Sequence, residues 1–173
     1  MTEATRVQMP DELSSRHDEA PSPVRLWLRL LSCTMLIERR LAGGLRRQFG
    51  TTLARFDLLA QLAHARDAKL DGLTMSELSR RLMVSNGNVT GLVSRLVREG
   101  LITRRTSMAD RRAQIVCLTP KGEQALRSMI PEHHTWLAEL FADVQPEERK
   151  QLYELIGALK TAVEAAPDGQ GTS

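Results

Sequence analysis

Residues 86–98 bring Asn86, Asn88, Thr90, Ser94, Arg95 and Arg98 together with two glycines, Gly87 and Gly91. Asparagine pairs bidentately with adenine, arginine does so with guanine, and hydroxyls bond either, so these are the side chains of base-edge readout on a nucleic acid. Farther along, Asp110-Arg111-Arg112 sets a carboxylate beside two guanidiniums. A carboxylate in that position can hold a guanidinium in one orientation, and a pre-oriented arginine suits a narrow minor groove of enhanced negative potential. Asp110 could equally bond the local amides of a turn. No GxxxxGK, GxSxG, HExxH or zinc-deaminase pattern occurs, and nothing in the spacing of Ser, His and Asp requires them to converge. The expectation is a binding protein and not an enzyme.

Charge is distributed to the same effect. Of 24 cationic residues 20 are arginine, and the net charge of +3 conceals a strong segmental pattern. Residues 1–20 carry a net −3, residues 21–73 a net +5, residues 74–121 a net +6 and residues 122–173 a net −5. A basic middle rich in planar, forked side chains points to a polyanion, the alternative being a solvated basic surface. Aromatic residues number six, with none between Asp57 and Met129, so the stacking platforms of single-strand and RNA modules are missing and duplex DNA is favoured.

The elements that must position these residues follow from periodicity and capping. A polar, acidic tail is expected over residues 1–23, and then a long helix from about Val24 to Gln48, loosened near Gly43-Gly44. A second helix over 53–65 is capped by Thr51 or Thr52. Thr74-Met75-Ser76-Glu77 has the spacing of a capping box and opens a short helix to about Met83. Ser85 is the N-cap candidate for a helix to Arg98, with Gly100 placed for a left-handed C-terminal cap. Segments 101–105 and 114–118 read as a β-hairpin, Thr119-Pro120 restarts helix, and two helices follow, to Ala142 with a candidate bend at Pro131 and from Pro146 to Ala165.

Helix, tight turn, helix and hairpin are the parts of a winged helix-turn-helix. At 100° per residue Val89, Leu92, Val93 and Leu96 share the inward side of its second helix, and Gly87, Gly91, Ser94 and Arg98 the outward side, flanked by Asn88, Thr90 and Arg95. Each interior glycine costs about 1 kcal/mol relative to alanine. Two readings offset that cost: a low-relief face for close approach to a major groove, or close packing on a neighbouring helix. Leu152, Leu155, Ile156, Leu159 and Val163 form an apolar stripe near the C-terminus, and Leu26, Leu30, Cys33, Ile37 and Leu41 form another near the N-terminus. Stripes at both ends ask for a shared cover, hence a dimer. The fold expected is mainly α with a small β-hairpin wing.

With Ser85-Asn86-Gly87-Asn88-Val89-Thr90-Gly91-Leu92-Val93, Glu99-Gly100-Leu101-Ile102, Asp110-Arg111-Arg112 and Leu118-Thr119-Pro120-Lys121-Gly122 in view, residues 24–165 resemble the MarR family of bacterial winged-helix regulators. The resemblance implies a homodimer whose dimerisation domain comes from a first helix over 24–50 and C-terminal helices over 122–165, flanking a DNA-binding domain over 51–121, with a flexible tail over 166–173. It implies pseudo-palindromic operators, usual repression of nearby genes, and release by a small ligand, often aromatic, bound between the dimerisation and DNA-binding parts. It also implies that Arg112 enters the minor groove while Asp110 orients it. DNA contacts are accordingly expected from Ser85, Asn86, Asn88, Thr90, Gly91, Ser94, Arg95, Asp110, Arg111 and Arg112.

Arg39, Arg40, Arg46 and Arg47 are a denser basic group than one helix needs. They are a solvated face, partners for acidic residues of the C-terminal helices, or the site of an anionic effector, either an aromatic acid or its acyl-CoA thioester. Adjacent His133 and His134 point about 100° apart on a helix and lack accompanying ligands, so no metal is expected and no cofactor either. Cys33 and Cys117 fall in apolar surroundings where thiols are usually inert, which leaves a thiol- or metal-responsive regulator as the minor alternative. An architectural DNA binder without an effector is the other. The longest apolar run, residues 115–118, is far below the ~20 residues of a membrane span, and residues 1–20 contain no signal-peptide block, so a cytoplasmic location is expected.

Overall fold

The computed structural model describes residues 21–107 and 112–166. The acidic tail, up to residue 20, and the C-terminal tail from residue 167 lie outside the described residues, as do Asp110 and Arg111 of the hairpin tip. Two compact units are distinguished, Met1–Leu36 and Ile37–Ser173. In order, the elements are α1 (Pro23–Phe49), α2 (Leu53–Asp67), β1 (Leu73–Thr74), α3 (Met75–Leu82), α4 (Asn86–Arg98), β2 (Ile102–Thr106), β3 (Gln114–Leu118), α5 (Pro120–Leu140) and α6 (Pro146–Ala165).

In the first unit, α1 starts where Ser22 accepts the Arg25 amide on its Oγ at 3.4 Å and Pro23 supplies a preset first helical φ. Val24, Trp27, Leu31, Met35 and Leu36 are all exposed there.

In the second unit the core gathers Leu45, Phe56, Leu58, Leu59, Leu62, Leu73, Leu78, Val89, Val93, Leu96, Ile102, Val116, Leu126 and Met129. Helix α1 runs unbroken through Gly43-Gly44, where loosening was expected, because Gly44 is buried beneath Trp136 and its missing side chain is filled by that ring. Thr52 caps α2 through the Arg55 amide, and α2 runs two residues farther than periodicity suggested. The hairpin gains a third strand: β1 pairs antiparallel with β3, Leu73 opposite Val116, giving the order β1-β3-β2. Two residues carry too little alternation to be read as a strand, and Thr74 serves both as strand and as N-cap of α3. Thr119 accepts the Gly122 amide at 3.1 Å and Pro120 opens α5, which continues through Pro131 and ends at Leu140 instead of Ala142. Every residue of α6 is exposed.

Candidate nucleic-acid interface

The interface is built from the α3 start outward. The Glu77 carboxylate accepts the Thr74 amide at 2.7 Å and the Thr74 hydroxyl at 2.8 Å, while the Glu77 amide donates to Thr74 Oγ1 at 3.2 Å. These bonds, the backbone one foremost, hold the Glu77 carboxyl below the usual range. At the other end Met83 takes a left-handed conformation with φ 54°, and the Val84 amide returns to the Ser79 carbonyl at 3.2 Å. That closes the turn between α3 and α4.

Ser85 has the extended backbone of an N-cap, yet its side chain makes no capping hydrogen bond, contrary to the role expected of it. Asn86 is the first residue of the helix. Inward, Val89, Val93 and Leu96 are 0% exposed and Leu92 half-buried. Outward, Asn88, Thr90, Gly91, Ser94, Arg95 and Arg98 are exposed, the split expected from 100° per residue. A Cβ built on Gly87 or on Gly91 would meet nothing within 4 Å. Among the described residues, packing against a neighbouring helix therefore does not account for these glycines. By contrast, Gly44 and Gly122 are packed so closely that a Cβ would clash with Trp136 and with the Leu101 carbonyl, respectively. Arg95 folds back so that its Nε donates to the Gly91 carbonyl at 3.2 Å.

The far end of α4 is fixed by a group that sequence spacing did not reveal. The Leu101 amide returns to Leu96 O at 3.0 Å and the Gly100 amide to Val97 O at 2.9 Å, with Gly100 at φ 73°. This is the left-handed closure its position predicted. Just before it, Glu99 receives both Nη atoms of Arg55, the Nη1 bond at 2.9 Å, and its carbonyl accepts Lys121 Nζ at 2.8 Å. The Arg55 hydrogen bonds hold the Glu99 carboxyl below the usual range. Arg55 and Glu99 are 44 positions apart, so no local motif joins them.

In the wing, the Ser107 amide donates to the Ala113 carbonyl at 2.9 Å and Gln114 Nε2 to Thr106 Oγ1 at 3.1 Å. Arg104 and Arg112 are exposed. Arg105, on β2, is tied down: Nη2 meets Asp71 Oδ1 at 2.6 Å and Nε donates to Cys117 Sγ at 3.1 Å. The Cys117 thiol in turn donates to the Asp71 carbonyl at 3.2 Å, so its surroundings are more polar than an apolar strand suggested. Cys33 is exposed.

Arg39, Arg40, Arg46 and Arg47 are exposed, and among the described residues none is in an ion pair with a C-terminal helix. Trp136 covers Gly44 and meets Phe49 edge-on at 6.5 Å, and Phe56 stacks on His133 at 4.5 Å. Burial holds His133 below its ordinary pKa, helped by His134. Among the described residues no group of three His, Cys, Asp or Glu could hold a metal ion, and no helix is long and apolar enough to cross a membrane.

A model of the MarR family matches residues 49–113, the segment from the end of α1 to the start of β3. An HTH-type transcriptional regulator of Bacillus cereus is 33% identical over 132 residues, 76% of this chain and 84% of that one. The HTH-type transcriptional repressor YetL of Bacillus subtilis is 28% identical over 110 residues, 64% of each chain. Among solved structures, a MarR family transcriptional regulator from Silicibacter pomeroyi is 34% identical with a TM-score of 0.64, covering 82% of this chain and 93% of that one. A MarR family regulator from Streptomyces coelicolor in complex with DNA is 25% identical with a TM-score of 0.70, covering 86% and 94%. With an open glycine face on α4, a hairpin wing beside it and relatives of this kind along most of its length, the chain belongs to the MarR family of DNA-binding transcriptional regulators.

Proposed function

We propose that the protein is a homodimeric repressor that leaves a pseudo-palindromic operator when a small aromatic acid, or its acyl-CoA thioester, binds. The observation that carries the DNA part is the open space over Gly87, in the first turn, and Gly91, in the interior of α4: among the described residues nothing lies within 4 Å of a Cβ on either, so this face is shaped for close approach by something outside the chain. Ser85, Asn86, Asn88, Thr90, Gly91, Ser94 and Arg95 then lie in the major groove, and Asp110, Arg111 and Arg112 at the adjacent minor groove. Repression is supported by the likeness to YetL. The protein works in the cytoplasm, beside its operator.

The dimer is supported by α6, whose Leu152, Leu155, Ile156, Leu159 and Val163 are exposed, and by the exposed apolar residues of α1. A stripe of that size needs a cover, and a second copy supplies the same stripe. The effector reading is supported by the rings of Phe49, Phe56, His133 and Trp136 and by the exposed guanidiniums of Arg39, Arg40, Arg46 and Arg47, which offer stacking and a carboxylate or phosphate partner within one unit. Equilibrium binding to the DNA upstream of the protein's own coding sequence, repeated with aromatic acids and with their CoA thioesters, tests it. Release by one class supports the effector reading. Tight binding that neither class alters removes it while leaving DNA recognition in place.

A further inference from the structure

We infer that Arg55, on the first turn of α2, is a positioning residue for DNA recognition: through Glu99 it sets the angle at which α4 is presented to the duplex. This rests on α4 being the helix that reads DNA. Hydrophobic burial of Val89, Val93 and Leu96 decides which face of α4 points inward, but that force is non-directional and tolerates small tilts and slides. At the N-terminal end of α4 the Ser85 side chain makes no capping hydrogen bond. Its C-terminal end carries the directional bonds: the two-pronged contact from Arg55 to the Glu99 carboxylate, Lys121 Nζ on the Glu99 carbonyl, and the left-handed closure at Gly100. A planar fork on a carboxylate fixes orientation as well as distance.

The other end of the fork is rigidly mounted. Arg55 is followed by Phe56, which stacks on His133 of α5, and by Leu58 and Leu59, both in the core, so α2 serves as the reference from which α4 is aimed. Arg55 also borders a cleft of about 390 Å3 with Thr52, Asn88 and Arg95, which raises a competing role, a direct contact to a DNA phosphate. Both Nη atoms are already committed to Glu99, and Nε is buried with no partner among the described residues, so the side chain offers little toward that cleft.

The two roles differ in what they do to affinity. Full-length Arg55→Gln, Glu99→Gln and the reversal Arg55→Glu with Glu99→Arg are compared with the wild type on the upstream duplex and on a scrambled duplex over a salt series, with a thermal melt of each. Positioning predicts that Arg55→Gln and Glu99→Gln each bind the upstream duplex about tenfold more weakly, as loss of a charge-assisted pair should. Binding to the scrambled duplex and the salt slope stay as in the wild type, and the reversal recovers most of the loss. Glu99→Gln is the sharper variant, because removing a negative charge would by electrostatics alone tighten binding to DNA. A phosphate contact predicts instead that Arg55→Gln weakens both duplexes alike and lowers the salt slope by about one, with Glu99→Gln binding no worse than wild type. That result, or folded variants that discriminate as the wild type does, overturns the positioning role. A wild-type chain that binds neither duplex removes the DNA reading and this inference with it.

Discussion

Gly122, the third residue of α5, passes so close to the backbone carbonyl of Leu101 that a Cβ on it would overlap the carbonyl oxygen. This approach joins α5 to the segment that leaves α4, with the Thr119 hydroxyl donating to the Gly100 and Leu101 carbonyls at 2.7 and 3.0 Å. Alanine at position 122 gains about 1 kcal/mol of helix propensity, but the obstacle is backbone and cannot swing aside. Gly122→Ala is expected to cost about 2–3 kcal/mol net, in the range of overpacked sites. Urea unfolding measures it, and a variant as stable as the wild type would show that the carbonyl can retreat.

Asp57 makes stability depend on pH in an unusual direction. Burial, and then Glu38, push its pKa from 3.8 up to about 6. Between those values the folded carboxyl keeps its proton while the unfolded one has released it, so the folded state gains stability as pH falls through about 6 and is penalised above it. Asp57→Asn is expected to be more stable than the wild type by about 1–2 kcal/mol at pH 7.5, after allowance for solvent screening, with the difference gone near pH 4. His133, held below its ordinary 6.5, acts oppositely as pH falls, so the difference between variant and wild type, rather than either curve, isolates Asp57. A constant difference across that range would exclude the mechanism.

On α6, Leu155 is 69% and Ile156 47% exposed in the single chain. Leu155→Glu with Ile156→Glu places charge where the proposed partner packs. Light scattering is expected to report a dimer for the wild type and a single chain for the variant, with operator binding weakened in step. A wild-type monomer that binds its operator tightly would refute the dimer.

Arg112 is the wing residue assigned to the minor groove. Arg112→Ala is expected to weaken operator binding and to reduce the slope of log affinity against log salt by about one, the signature of a lost cationic contact. An unchanged affinity and slope would take the wing out of the interface.

Much of this architecture is legible in the chain because its signals are local. Thr74 and Glu77 announce the α3 start from three residues apart, Thr119-Pro120 announces α5, and the inward and outward faces of α4 follow from period alone. What could not be read depends on partners distant in sequence. Glu99 meets Arg55 across 44 positions, Arg105 meets Asp71 across 34, and β1 exists only because Leu73 and Thr74 pair with β3. Gly43-Gly44 looked like a weak point in α1 because the ring that covers it, Trp136, comes from α5. The two glycines of α4 carried two readings in the sequence, and the empty space above them separates those readings.

The central claim is that this open face of α4 meets duplex DNA, and Gly91→Tyr tests it most directly. Among the described residues nothing lies within 4 Å of a Cβ at position 91, and the Arg95 side chain beside it is exposed, so the variant is expected to melt no lower than the wild type. Its affinity for the upstream duplex is expected to fall by at least about tenfold, because the added ring occupies the space of a base edge. A folded Gly91→Tyr that binds that duplex as tightly and as selectively as the wild type would contradict the account.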